Sequence, residues 1–234
     1  MKKKRTGRVG NRVFAFATIL AAMLLVAAAP GAMAADEEDA QGIVDKARVA
    51  FGGFMRDDNY SWMRDHLKDA KGVLIYPQVL KAGFILGGSG GTGVLLSRDG
   101  KTGEWGNPAF YTMGSVSFGL QIGGESAEVV LLVMSQKGMD SLLASNFKLG
   151  GDASVALGPV GGGAKADVTT DFLSFSKSQG LYAGINLDGS YISVRDSLNK
   201  AYYGKDVSPV EIIVKQSVSN KGAVPLREEL KKAK

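Results

Sequence analysis

A glycine-rich stretch in the first half of the chain carries the motifs that most resemble cofactor or catalytic chemistry. Residues 88–93 match the dinucleotide-binding pattern G-x-G-x-x-G letter for letter. This pattern holds a pyrophosphate only where a helix begins directly after it, whereas residues 94–96, Val-Leu-Leu, predict a strand. Residues 87–91 also match G-x-S-x-G, which requires a helix behind the serine and a histidine later in the chain. The only histidine, His66, precedes Ser89, so neither motif predicts an active site.

Carboxylate pairs are the remaining route to catalysis. One histidine and no cysteine argue against a zinc site and against a Cys-His or Ser-His pair. Glycosidases work with two carboxylates alone, and Glu125 with Glu128, or Asp152 with Asp171, are the candidate pairs. Glu125 and Glu128 lie beside a glycine turn and are expected to face water. We therefore predict a protein that is not an enzyme and that holds no metal or cofactor, with a carboxylate-based hydrolase as an alternative.

The first 34 residues have the order of a secretory signal peptide. Six lysines and arginines precede an apolar run over residues 13–29, and Ala32-Met33-Ala34 supplies the small residues of a cleavage site. Cleavage after Ala34 predicts a periplasmic or secreted protein, with peripheral membrane association as an option. An uncleaved anchor is the alternative, because the run of 17 residues, apolar except for Thr18, is near the lower limit for a spanning helix.

Removing this leader changes what the charge implies. The whole chain has a net charge of +5, but residues 35–234 contain 22 Lys and Arg against 23 Asp and Glu. A basic footprint for nucleic acid is therefore absent from the mature chain. The predicted organisation is a signal peptide over residues 1–34, one domain over residues 35–215 and a basic flexible tail over residues 216–234.

The elements that would position a site follow from hydrophobic spacing. Apolar residues recur at helical spacing from Ile43 to Met55, and a second helix is predicted over residues 60–71. Beyond Gly72, short apolar runs alternate with glycines and predict strands, and the continuous run Val129–Met134 is typical of a buried central strand. Further strands are expected over residues 172–176, 181–187 and 191–195.

The glycines inside these strands predict the shape of the sheet. Glycine in a strand costs conformational entropy, so we expect it to serve close backbone approach or sharp curvature. The predicted fold class is α+β: a strongly curved, glycine-rich, mainly antiparallel sheet forming a partial barrel, with two N-terminal helices and short C-terminal helices.

Several sequence blocks together resemble the SYLF domain. They keep their order from about Ile43 to Ile213, which is nearly all of the mature chain. The blocks are AKGVLIYP at residues 70–77, KAGF at 81–84, the glycines of 87–93, WGNPAF at 105–110, GLQIG at 119–123, FKLGGDASVALGPVG at 147–161, SKSQGLYAG at 176–184 and NKAYYG at 199–204.

The resemblance implies a non-enzymatic module that binds phosphoinositide or other acidic lipids. Eukaryotic members of the family are linked to actin and endocytosis, usually together with an SH3 domain. Family members often carry arginine where this chain has Gly162, so the resemblance implies no phosphate-binding base there. The expected partner is a lipid or membrane surface at the cell envelope; another envelope protein and self-association are the alternatives.

Aromatic and basic side chains near the first helices and strands are the candidate lipid contacts. Trp62 and Trp105 are expected to be exposed, and lysines near an anionic surface gain about 1 kcal/mol each. Aromatic residues of the N-terminal helices could lie at a bilayer interface, with packing on the sheet as the alternative. The predicted lipid-binding residues are Trp62, Lys68, Lys71, Lys81 and Trp105, and the membrane-facing helix candidates are Phe54, Met55 and Tyr60.

Overall fold

A computed structural model describes residues 30–83, 86–118, 123–161, 169–178 and 187–232. Most of the predicted signal peptide and most of the predicted strand over residues 181–187 lie outside these residues. The helices are α1 (Pro30–Arg56), α2 (Ser61–His66), α3 (Gln136–Leu143), α4 (Asp196–Tyr203) and α5 (Val224–Lys231), with 3-10 turns at Asp58–Tyr60, Leu67–Asp69 and Lys221–Ala223 and a π-helical turn at Val210–Val214. The strands are β1 (Gly72–Gly83), β2 (Leu86–Ser97), β3 (Ala109–Phe118), β4 (Gly123–Val133), β5 (Asn146–Lys148), β6 (Val155–Leu157), β7 (Phe172–Ser178) and β8 (Tyr191–Val194).

The strands form one curled sheet in the order β5-β8-β3-β2-β1-β4-β7-β6. Neighbouring strands are antiparallel except β6 and β7, which run parallel. Helices α1 and α2 precede the sheet in the chain, and α4 and α5 follow it. The predicted α+β class, with a curved and mainly antiparallel half-barrel, is therefore confirmed.

Both faces of the central strands are buried. On β4, Val130 and Leu132 belong to a core cluster with α1, α4 and α5, while Val129 and Leu131 belong to a second cluster on the other face with α3. A strand that is covered on both faces has no polar positions. This explains the continuous apolar run, and the prediction of a buried central strand at this position is confirmed.

Helix α1 lies on the first of these faces through a stripe of small and aromatic residues. Ala47, Phe51 and Phe54 are fully buried, and Phe54 meets Tyr60 edge to face at 4.6 Å between ring centroids. The Tyr60 hydroxyl donates to the carbonyl of Ser176 at 2.6 Å. The prediction that Phe54 and Tyr60 face a membrane is therefore wrong, because the sheet supplies the apolar partner that we assigned to lipid; Met55 is partly buried against the same core. Among the helices of the described residues, none combines the length and the hydropathy that a transmembrane span needs.

Two glycines of β2 are required by a bulge in β1 at Pro77 and Gln78. A Cβ at Gly91 would lie 2.3 Å from the Gln78 carbonyl oxygen, and one at Gly93 would lie 2.3 Å from the Ile75 carbonyl oxygen. The register between β1 and β2 shifts in this interval. The expectation that strand glycines allow close backbone approach is confirmed here, and the two motif matches in β2 lie inside a strand that no helix follows directly.

The C-terminal segment is part of the core. In α5, Leu226 and Leu230 are fully buried in the cluster beneath α1. Arg227 Nε donates to the Trp105 carbonyl at 2.7 Å. The prediction of a flexible tail over residues 216–234 is therefore wrong for the described part of it, because two leucines in a mostly charged segment are enough to seat one face of a short helix.

Candidate functional site

A groove of about 780 Å³ lies between α1 and the sheet, where α1 passes over the bulge of β1. One wall is a turn of α1, and the opposite wall and floor are formed by β1, β4 and β7. The residues that line it are Asp45, Lys46, Arg48, Val49, Pro77, Gln78, Ser126, Ala127, Glu128, Lys177 and Ser178.

Arg48 is the cation on the helical wall. It lies one helical turn after the buried Val44, so its side chain borders the apolar stripe of α1. Its Nε atom is buried and has no hydrogen-bond partner. Within the described ranges, no carboxylate lies within salt-bridge distance of Arg48. A buried donor without a partner is energetically unfavourable, so the Nε–H of Arg48 is available to a ligand.

Lys177 on the floor is already engaged. Its Nζ lies 3.2 Å from Asp57 Oδ2, and Asp57 also accepts a hydrogen bond from the backbone N–H of Asn59 at 3.1 Å. Burial opposes ionisation of Asp57, but the hydrogen bonds from Asn59 and Lys177 outweigh it and lower the pKa of this carboxyl. Lys177 therefore holds the end of α1 to β7 and is not a free cation.

Glu128 is the partly buried anion of the groove, whereas Asp45 on the helical wall is exposed and accepts a hydrogen bond from Gln41. Glu128 is the cross-strand neighbour of Lys177, but that lysine turns to Asp57, and no cation among the described residues lies within salt-bridge distance of Glu128. A Cβ at Gly53 would lie 3.9 Å from Glu128 Oε2, so the carboxylate lies against the backbone of α1. Burial raises the pKa of Glu128, and the nearby charge of Lys177 only partly offsets this effect.

An exposed apolar surface adjoins the groove. Leu80 is paired across the strands with Ser126, a groove residue, so both side chains lie on the α1 side of the sheet. Leu80 is 55% exposed, Val49 on the groove wall 58% and Val116 on β3 76%. We call the sheet surface formed by Leu80, Gly88, Gly90, Gly114 and Val116 the open face, because glycines between the two large residues leave it flat.

The structure separates the basic residues that the sequence proposed as one lipid site. Lys71 precedes β1 and Lys81 lies near the far end of that strand, so they are roughly 30 Å apart at the rise of an extended strand. Lys68 is with Lys71 at the near end, and its carbonyl accepts a hydrogen bond from Arg98. None of these three lysines lines the groove.

The two tryptophans are also apart from the groove. Trp105 is only 3% exposed, so the prediction that it is exposed is wrong; α5 covers it. Trp62 is partly buried, stacks on His66 at 3.8 Å between ring centroids and packs near Phe175. Neither side chain lines the groove.

The carboxylate pairs do not form a hydrolase site. Glu125 and Glu128 are three residues apart on β4 and therefore lie on opposite faces of the sheet. Asp171 accepts hydrogen bonds from Ser135 and Ser154, and Asp152 accepts from the backbone N–H of Lys148, so both acids stabilise local turns and helix ends. The part of the chain that the structure describes contains no cluster of three or more His, Cys, Asp or Glu that could hold a metal ion.

Sequence reasoning missed the groove because its walls come from distant segments. Arg48, Gln78, Glu128 and Lys177 lie on four different elements, and only the strand order β1-β4-β7 brings them together. The available signal was Arg48 itself, a charged residue beside an apolar helical stripe. Glu128 was considered only as a solvated acid, whereas it is partly buried.

The described residues form a single mixed sheet packed with helices, and the groove lies between this sheet and α1. The family described as Ysc84, "Las17-binding protein actin regulator", matches residues 114–233. This chain belongs to that family, the SYLF family that the sequence blocks indicated.

Similar proteins occur in fungi and mammals. An SH3 domain-containing protein of Schizosaccharomyces pombe is 33% identical over 68% of this chain and 38% of its own length. LAS seventeen-binding protein 3 of Saccharomyces cerevisiae is 34% identical over 64% of this chain and 34% of its own length. SH3 domain-containing YSC84-like protein 1 of Rattus norvegicus is 32% identical over 62% of this chain and 43% of its own length.

These relatives are named for binding or for a domain, not for a reaction. The chain spans less than half the length of each of these three relatives, so their partners do not transfer directly. No solved structure matches the chain.

Proposed function

We propose that this protein is a non-enzymatic phospholipid-binding module that acts at the cell envelope after export. The observation that carries the proposal is the unpaired Arg48 guanidinium in a groove that adjoins an exposed apolar surface. A phospholipid has a phosphate for the guanidinium, which binds such anions with directed hydrogen bonds. Its apolar part would contact Val49 and Leu80, and burying such side chains is favourable.

The family resemblance implies a preference for acidic lipids. The groove offers a cation for direct contact with a phosphate, but its lining has no strong excess of positive charge. Lys46, Arg48 and Lys177 face Asp45 and Glu128 in the lining, and Lys177 is further neutralised by Asp57. Affinity would therefore depend on direct contact with one headgroup more than on the field of a charged membrane, whose contribution salt screens.

A flotation assay tests the proposal. We expect the purified chain to float with vesicles of phosphatidylethanolamine and phosphatidylglycerol, and Arg48→Gln to float several-fold less, because a charge-assisted hydrogen bond contributes about 1.5–3 kcal/mol. Lys68→Gln is the matched control, because this residue precedes β1 and does not line the groove, so the change should leave flotation unchanged. Equal flotation of wild type and Arg48→Gln, or no flotation of either, would contradict the proposal.

Export is the second part of the proposal, and the signal-peptide order of residues 1–34 supports it. The protein isolated from its own host should begin at Ala35. Mass spectrometry of the intact chain checks this. A mass that still includes residues 1–34 would argue for the uncleaved anchor instead.

A protein partner is the second candidate function. The names of the relatives refer to protein binding, and Val116 on the open face is 76% exposed. A contiguous exposed apolar surface is typical of an interaction site, and a second copy of this chain is the simplest partner. Light scattering of the wild type and of Val116→Asp separates the options: a dimer that the substitution converts to a monomer supports self-association, whereas monomers in both cases exclude it.

A further inference from the structure

Two of the five charged residues that line the groove, Arg48 and Glu128, are of opposite sign and do not pair with one another. Arg48 lies on the α1 wall and Glu128 on the β4 wall, and the two side chains are farther apart than salt-bridge distance. The cation nearest to Glu128 in the sheet, Lys177, is held 3.2 Å from Asp57. An anion alone would satisfy Arg48 and would leave Glu128 without a partner.

Glu128 is also unfavourable for a site that binds only phosphate. A carboxylate beside a phosphate repels it, and this repulsion is stronger where the groove is partly shielded from water. A half-buried carboxylate without a partner also costs stability. Both costs disappear when the ligand brings a positive charge to Glu128 together with a phosphate for Arg48.

The kind of cation follows from the lining. A quaternary ammonium is usually recognised by aromatic side chains, and none of the residues that line the groove in the described structure is aromatic. A primary ammonium has three N–H donors, which suit the carboxylate oxygens of Glu128 and the hydroxyl of Ser126 nearby on the same strand face.

We propose that the groove binds a zwitterionic headgroup, the phosphate ester of a primary amino alcohol, with the phosphate on Arg48 and the ammonium on Glu128. The proposal rests on the phospholipid-binding function proposed above and assigns its headgroup class. The ammonium donates to the carboxylate, and Arg48 donates to the phosphate oxygens. Glu128 is thus a specificity residue: it favours phosphatidylethanolamine over phosphatidylcholine and phosphatidylglycerol.

Calorimetry with soluble short-chain lipids tests this assignment. The probes are the dihexanoyl forms of phosphatidylethanolamine, phosphatidylcholine and phosphatidylglycerol, each titrated as monomers into the full mature chain. We expect the ethanolamine lipid to bind about tenfold more tightly than the other two, because a charge-assisted hydrogen bond distinguishes it. Glu128→Gln should remove this preference and leave binding of the glycerol lipid equal or stronger, while Arg48→Gln should weaken binding of all three.

Glu125→Gln is the matched control, because it changes the same residue type on the same strand but on the opposite face. It should leave the tenfold preference intact. Equal binding of the three lipids to the wild type, or a preference that survives in Glu128→Gln, overturns the headgroup assignment but leaves phospholipid binding standing. Failure of all three lipids to bind the wild type contradicts the proposed function as well.

Discussion

On the α1 side of the sheet, the same strands pass through two environments. Where helices cover them, they carry Ile75, Val94 and Phe110, all fully buried. Farther along, on the open face, the same strand positions are glycine or are exposed, as at Leu80 and Val116. The covered region shows which side chains the core requires, and the open face shows which positions of the same strands stay exposed. The groove lies at the border of the two regions.

The largest loss of stability is expected where β2 passes the bulge of β1, on the sheet face opposite α1. In Gly93→Ala the new Cβ would lie 2.3 Å from a backbone oxygen of β1, and backbone cannot move aside as a side chain can. We expect a loss of more than about 3 kcal/mol in the free energy of unfolding, measured by chemical denaturation. Gly90→Ala on the open face is the control; its Cβ would lie 3.4 Å from the Met113 carbonyl oxygen, and the change should be within about 1 kcal/mol. Similar losses at both positions would remove the distinction between them.

The next largest loss in the free energy of unfolding is expected for a truncated side chain in the covered region. Leu230→Ala in α5 removes a fully buried side chain from the cluster beneath α1, so we expect a loss of about 2–4 kcal/mol. Val224→Ala, at the exposed start of the same helix, should cost less than about 0.5 kcal/mol. If thermal unfolding gives the same result for both variants, α5 does not contribute to the core in solution.

Much of this contrast could be predicted from the sequence, and the reasons are local. Three local patterns each predict the burial or backbone approach of their own element: the apolar run of β4, the helical spacing of α1 and the glycines of β2. The class of fold could therefore be predicted from them. Burial of Trp105 and of Leu226 depends on which distant segment packs above them, and hydrophobic spacing within either segment does not report that. The groove depends on both the β1 bulge and the order of three strands, so hydrophobic spacing within one segment could not predict it.

Replacing Glu128 should show how much stability the protein loses by keeping a half-buried carboxylate in the groove. Burial raises its pKa above the ordinary value of 4.5, so the folded state loses stability as the pH rises from 4.5 through the folded-state pKa. Glu128→Gln should therefore be more stable than wild type at pH 7, by less than about 1 kcal/mol because water screens a half-buried carboxylate. The difference should vanish below pH 4.5; a variant that is less stable than wild type at pH 7 would show that Glu128 has a stabilising partner.

The smallest effect on stability is expected on the open face. Val116→Ser removes an exposed apolar side chain and should change the free energy of unfolding by less than about 0.5 kcal/mol. Vesicle binding should nevertheless weaken, because this residue would lose apolar contact with the bilayer. Unchanged flotation would confine the lipid contact to the groove and its immediate edge.

Hydrogen exchange with and without phosphatidylethanolamine vesicles tests the central claim most directly, because it reports which segments the membrane covers. The groove account predicts slower exchange over residues 45–49, 78–81 and 126–128, and little change over residues 60–71. Protection confined to residues 60–71, where Trp62, Lys68 and Lys71 lie, would place the lipid contact away from the groove and contradict the account.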